Sequence, residues 1–192
     1  MQNNPMDWEV KSLSELGELN RGISKHRPRN APELLGGVHP LIQTGEVAAA
    51  DLYITNYTST YSDIGLRQSK KWPKGTLCIT IAANIAKTAI LDFDACFPDS
   101  IVGFVPSDKV NQIFIHYWFS FFQKTLEEQA PQLAQKNINL QILRSLKMIV
   151  PPIKLQNEFA EFVGKSVDSI ITIRQTLGEL EEKRNGIMEN YL

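Results

Sequence analysis

From Phe159 onward, stepping alternately four and three residues gives Phe159, Val163, Ser166, Ile170, Ile173, Leu177, Leu180, Arg184, Ile187 and Tyr191, of which eight of ten are apolar. A 3.5-residue period held this long, with charged residues elsewhere, predicts a coiled-coil seam rather than the face of a helix lying on a globule. Running from Leu155 to Tyr191, such a helix is about 55 Å long at 1.5 Å per residue. Gly164, Gly178 and Gly186 each cost it about 1 kcal/mol relative to alanine, so the helix depends on a partner for its stability. A lone helix of this kind would expose an apolar stripe. A second helix must cover it, most simply one from another copy of the chain. Residues 151–192 are therefore expected to form a long dimerisation and spacer helix. Its seam is Phe159, Val163, Ile170, Ile173, Leu177, Leu180, Ile187 and Tyr191.

Pro151 and Pro152 mark the boundary, because proline is excluded from a helix interior and from a central strand. Residues 1–150 are the length of one ordinary domain, and 43% hydrophobic against 21% charged residues is enough for a core. Ser12 followed three residues later by Glu15 has capping-box spacing and predicts a short helix within Trp8–Leu19. Residues 21–74, rich in Gly, Pro, Asn, Ser and Thr, predict long loops with brief strands at Leu41–Thr44 and Leu52–Thr55. Leu77–Ile81, Thr88–Leu91 and Ile101–Val105 are apolar runs bounded by turn formers and predict the central strands. Residues 111–128 place Ile113, Phe114, Tyr117, Trp118, Phe121, Phe122 and Leu126 at helical spacing, a helix packed on the sheet with His116 inside it as a structural residue. Ile142–Val150 is a further apolar element. The expected class is α+β: a globular domain with a mainly β core and packed helices, followed by one long C-terminal coiled-coil helix.

Several function classes are excluded by what the chain lacks. There is no GxxxxGK[ST] or GxGxxG phosphate loop, no HExxH or other close ligand pair among His26, His39 and His116, no GxSxG elbow and no Asn-Pro-Pro-Tyr methyltransferase signature. Cys78 and Cys96 have no CxxC spacing and read as small core residues. Asp92 and Asp94 read as exposed acids at a turn. The expectation is a chain that is not an enzyme, takes no cofactor and no metal, and leaves any chemistry to a partner. It carries neither a membrane span nor a leader-like N-terminus, so the cytoplasm is the expected compartment.

The formal net charge of −1 hides an uneven distribution. Residues 21–75 carry eight basic and four acidic side chains, whereas residues 1–20 and 155–192 each sum to −3. A polyanion would therefore be held by a patch and not by the field of the whole molecule. In that stretch Lys25, Arg27, Arg29, Arg67, Lys70, Lys71 and Lys74 are interleaved with residues such as Gln43 and Thr44. Cationic heads neutralise phosphates, while Arg, Gln and Asn make paired hydrogen bonds to base edges in the major groove. These residues are the candidate DNA-binding set.

A further group of motifs runs through almost the entire chain: Trp8 with Leu16-Gly17-Glu18-Leu19 and Gly22; Pro40-Leu41-Ile42-Gln43-Thr44-Gly45-Glu46; Gly75 before Thr80-Ile81-Ala82 and Lys87-Thr88-Ala89-Ile90; Gln135-Lys136-Asn137-Ile138-Asn139; and Pro151-Pro152 with Gln156 ahead of the long helix. In order and spacing this resembles the specificity subunit of type I restriction-modification systems. Members of that family carry two target-recognition domains alternating with two long helical regions. The helices pair antiparallel and dock methyltransferase subunits, and each domain reads one half of a split site. The chain resembles half of such a subunit, with one domain and one helix. The resemblance implies double-stranded DNA as ligand, places the neighbourhoods of Gly45 and Asn84 near it, and implies a type I methyltransferase subunit, with the restriction subunit, as partners. Joined to the heptad argument, it implies an antiparallel homodimer on a bipartite inverted repeat. The competing reading is a non-DNA interaction module with a coiled-coil tether, such as an inhibitor occupying the methyltransferase docking site.

Overall fold

The computed structural model describes residues 4–82, 85–129 and 138–189. Asn84, Tyr191 and the stretch Gln135, Lys136 and Asn137 lie outside the described residues. The chain divides into two compact units, Met1–Ile153 and Lys154–Leu192.

The first unit is built on the runs that read as continuous apolar sequence. Strands β7 (Leu77–Thr80) and β8 (Thr88–Leu91) are buried at every position, and β10 (Ile101–Pro106) is buried over its first four. Burial on both faces is what removes the polar alternation from such strands. They lie side by side in a five-stranded sheet of order β2-β10-β7-β8-β4, flanked by β2 (Gly17–Arg21) and β4 (Tyr53–Ile54). All contacts in it are antiparallel except that of β4 with β8.

A four-stranded sheet of order β5-β3-β9-β6 is formed by β3 (Leu35–Leu41), β5 (Ser59–Tyr61), β6 (Lys71–Trp72) and β9 (Ala95–Cys96). The core includes the Trp72 and Phe97 rings, stacked 4.9 Å apart and inclined by 17°. Gly103 on β10 admits that stack, since a Cβ there would lie 2.8 Å from both rings.

The expected N-terminal helix is corrected to a single turn. Ser12 donates its backbone N–H to Glu15 Oε2 at 2.7 Å and its hydroxyl to the same oxygen, so the capping box forms. It opens only α1, Leu13–Leu16. The flanking residues are strands: β1 (Glu9–Ser12) pairs with β11 (Lys147–Val150), and β2 pairs with β10. Ladder bonds to partners far along the chain outcompete a helix too short to sustain itself.

Two further expectations are revised in the same way. Leu41 ends β3, and Thr44 already opens the helix α2 (Thr44–Ala49). Ile142–Val150 is not one element: α5 (Leu140–Ser145) runs into β11. Helix α3 (Asp63–Arg67) is capped by Ser62, whose Oγ accepts from Gly65 N–H at 3.2 Å.

Helix α4 (Gln112–Gln129) packs on β8. Ile115 and Phe119 are fully buried, and His116 is 8% exposed.

The second unit carries all but the first residue of α6, Ile153–Glu189, a helix 37 residues long and therefore about 55 Å from end to end. Of the expected seam, Ile170, Ile173, Leu177, Leu180 and Ile187 are between 48% and 59% exposed, whereas Val163 is buried and Phe159 half-buried, so the exposed stripe begins beyond Val163. A Cβ at Gly164, Gly178 or Gly186 would meet nothing within 4 Å.

Candidate nucleic-acid interface

The four-stranded sheet has one end at which several loops converge. Strands β3 and β9 run parallel and both finish there, with Leu41 opposite Cys96, while antiparallel β6 begins there, with Lys71 opposite Cys96. Gln43 and Thr44 leave this end just after Ile42, whose N–H donates to Cys96 O at 2.9 Å. The turn 97–99 leaves it after β9. Residues 67–70 enter it before β6.

The loop that follows β2 is stitched to the same place. Gly22 N–H donates to Ile101 O at 2.8 Å. A Cβ at Gly22 would lie 2.3 Å from both Phe97 O and Pro98 O, so a glycine is required for this approach. Ser69 Oγ donates to Ile23 O at 2.7 Å, and His26 N–H to Gln68 Oε1 at 3.0 Å. Lys25 N–H donates to Gln68 O at 3.4 Å.

This stitching gathers six of the seven basic residues singled out in the sequence. Lys25, Arg27, Arg29, Arg67, Lys70 and Lys71 sit on two segments some forty residues apart that are joined by these bonds, and all six are exposed. Arg27 Nη1 donates to Ser24 O at 2.6 Å and to His26 O at 2.8 Å, and its Nη2 is 3.7 Å from Asp99 Oδ2. Arg29 Nη2 donates to Asp99 Oδ1. Lys70 Nζ lies 3.9 Å from the centroid of the Trp72 ring, a cation–π contact that fixes where its charge sits. Lys25, Arg67 and Lys71 make no ion pair among the described residues. Positive charge is in surplus here, since the carboxylates in contact with the cluster are Asp99 and Glu33, the latter 3.7 Å from His26.

Lys74 is the exception. It follows the opposite end of β6, its Nζ 2.7 Å from Asp92 Oδ1 and its backbone N–H bonded to Asp94 Oδ1 at 2.9 Å. Asp92 and Asp94 are thus the turn acids that hold Lys74, whose charge is compensated locally. Gln43 is exposed and Thr44 half-buried at the start of α2. Glu46 anchors that turn by accepting from Gln43 N–H at 3.0 Å and from Thr58 Oγ1 at 2.6 Å.

Sequence reading missed Arg21 and Asp99. Arg21 Nε donates to Asp99 O at 2.9 Å, which adds a fourth arginine to the cluster and a third in contact with Asp99. Asp99 lies in a segment counted separately from the basic one, and nothing local marks it.

Cys78 and Cys96 are both buried and free. Burial pushes both thiols up, away from the reactive thiolate. Among the described residues no group of three or more His, Cys, Asp or Glu is placed to hold a metal ion. No described helix is long and apolar enough to cross a membrane.

The first unit is an α+β fold of three sheets with a cationic sheet end, the second a long helix bearing an apolar seam, and comparison with known proteins gives the chain a family. The chain belongs to the type I restriction modification DNA specificity domain family, whose model matches residues 5–182. It is 23% identical over 189 residues to the putative type I restriction enzyme MjaX specificity subunit of Methanocaldococcus jannaschii, with 98% of the chain and 43% of that protein covered. It is 26% identical over 188 residues to the type I restriction enzyme HindI specificity subunit of Haemophilus influenzae, covering 94% of the chain and 39% of the relative. The fold matches the crystal structure of the HsdS subunit from Thermoanaerobacter tengcongensis with a TM-score of 0.66 at 16% identity, over 91% of this chain and 41% of that one. A structure solved for complex assembly and conformational transition of the type I R-M system matches with a TM-score of 0.67, also at 16% identity, over 94% of this chain and 43% of that one. The chain thus spans about two fifths of the length of the relatives it matches.

Proposed function

We propose that the chain reads DNA sequence as the specificity component of a type I restriction-modification complex. Residues 1–150 act as the target-recognition domain and residues 151–192 as the dimerisation and spacer helix. The observation that carries this reading is the cationic sheet end, where six exposed basic residues lie on two distant segments joined by hydrogen bonds, at the sheet end that Gln43 and Thr44 also leave. Backbone phosphates would be neutralised by the cations, and base edges would be read by the amide and guanidinium groups nearby.

Two copies pair through antiparallel α6 helices. The exposed isoleucines and leucines of the seam support this, because so long an apolar stripe calls for a second helix. Two identical domains related by a two-fold axis then read the same bases on opposite strands, so the site is a bipartite inverted repeat. Methylation, and cleavage where a nuclease joins, come from the partner subunits.

The test is binding of the full chain to random-sequence duplex DNA, with and without a type I methyltransferase subunit. Salt-sensitive binding by the chain alone is expected. Binding to the methyltransferase without any affinity for DNA would favour the interaction-module reading instead.

A further inference from the structure

Asp99 occupies a position that a DNA-facing surface would ordinarily keep free of negative charge. It ends the turn after β9, and the loop carrying Arg27 and Arg29 is folded over it because Gly22 allows backbone to approach the Phe97 and Pro98 carbonyls. Three arginines reach this one residue. Arg21 Nε donates to its backbone oxygen at 2.9 Å, Arg29 Nη2 to Oδ1, and Arg27 Nη2 lies 3.7 Å from Oδ2.

The side chains of Asp99, Arg27 and Arg29 are 35%, 55% and 44% exposed. Ion pairs that exposed add little to stability, so holding the fold together does not account for the arrangement. What the carboxylate does achieve is orientation. Each guanidinium carries five N–H donors in a rigid plane. Asp99 engages one amino group on each of Arg27 and Arg29, and Ser24 O and His26 O hold Arg27 by its other one. Donors remain over on both arginines, and the pair outweighs the single carboxylate in charge.

We propose that Asp99 is a positioning residue that holds Arg27 and Arg29 side by side as a preformed fork for one phosphodiester of the DNA backbone. The inference rests on the DNA-binding reading above and adds to it the residue that organises the contact. A fork set before binding loses less side-chain freedom on engaging phosphate than two free arginines do.

The sign of one substitution separates positioning from simple electrostatics. Asp99→Asn removes a negative charge from a DNA-facing surface and keeps the side chain's shape. If Asp99 only weakens the local field, the variant binds DNA more tightly. If it positions the arginines, the variant binds more weakly despite the gain in positive charge.

The experiment measures binding of the full chain to a random-sequence duplex over a range of salt concentrations, with far-UV circular dichroism and melting to establish that each variant is folded. Asp99→Asn is expected to lower affinity about tenfold and to flatten the log–log salt slope by about 0.9, one phosphate contact. Arg29→Lys keeps the charge and removes the fork geometry, so it should lower affinity by a similar factor with the salt slope little changed. It decides the matter should Asp99→Asn be unfolded. Affinity equal to or above that of the unaltered chain, with the slope unchanged or steeper, overturns the inference and leaves the DNA-binding reading intact. A chain that shows no salt-dependent DNA binding before any substitution overturns both.

Discussion

His116 Nδ1 on α4 lies 3.0 Å from Thr88 Oγ1 on β8, a buried polar contact that ties the aromatic helix to the central sheet. Burial lowers the imidazole pKa below its ordinary 6.5, with hydrogen bonds to the backbone of Asp51 and Thr88 offsetting part of the effect. The unfolded chain therefore takes up a proton more readily than the folded one. This contribution to stability is complete above about pH 6.5 and is lost as the pH falls towards the lower folded-state value. His116→Leu should flatten that limb of the curve and cost about 1–3 kcal/mol at pH 7.5, because the Thr88 hydroxyl loses its partner. Urea titrations at several pH values measure both. A pH-independent stability between 5 and 7 in the unaltered chain would contradict the assignment.

Gly103 and the Trp72–Phe97 stack give a packing prediction. A methyl at position 103 meets both rings at 2.8 Å, and neither ring can move freely, Trp72 and Phe97 being at most 1% exposed. Gly103→Ala should destabilise the domain by about 1–3 kcal/mol, the usual cost of overpacking. Thermal melting checks it, and an unchanged midpoint would mean that the stack shifts at no cost.

The elements that sequence reading located well are those whose signal is local. β7, β8 and β10 are continuous apolar runs between turn formers, and the helical spacing from Ile113 marks α4, although the face it buries carries Ile115 and Phe119 and leaves Phe121 of the expected stripe 70% exposed. Trp8–Leu19 shows the opposite case. Its capping box is real, but β1 and β2 owe their conformation to Lys147–Val150 and Ile101–Pro106, partners that no local pattern reveals. The basic surface was legible as a composition and not as a geometry. Counting charges by segment found Lys25 to Lys74, yet could not show that Asp92 compensates Lys74 or that Asp99, in another segment, organises Arg27 and Arg29.

The cationic sheet end predicts a graded salt response. Lys25→Ala and Lys71→Ala should each flatten the log–log salt slope of DNA binding by about 0.9 where that side chain meets a phosphate. Lys74→Ala should change it less, its charge being held by Asp92 at 2.7 Å. Fluorescence anisotropy across a salt series distinguishes them. Equal effects at all three positions would indicate that the DNA covers both ends of β6.

The proposed pairing through α6 would make the oligomeric state a direct readout of the seam. Sedimentation equilibrium should give twice the 21.7 kDa chain mass. Ile170→Glu together with Leu177→Glu should abolish pairing by burying like charges. The domain would remain folded, since it forms a compact unit of its own. A dimer that survives the double change would locate the interface outside the seam.

The central claim is that two identical chains read one site, and the most direct measurement is the sequence of the positions methylated when a type I methyltransferase subunit is added. Two-fold symmetry requires the same bases in both halves on opposite strands. In the proposed dimer, helices about 55 Å long, set against the 3.4 Å rise of a base pair, would keep the two domains apart. The expected result is an inverted repeat interrupted by several unread base pairs. An asymmetric site, or a continuous one without a gap, would contradict the account and show that a dissimilar domain supplies the second half or that the chains pair in another way.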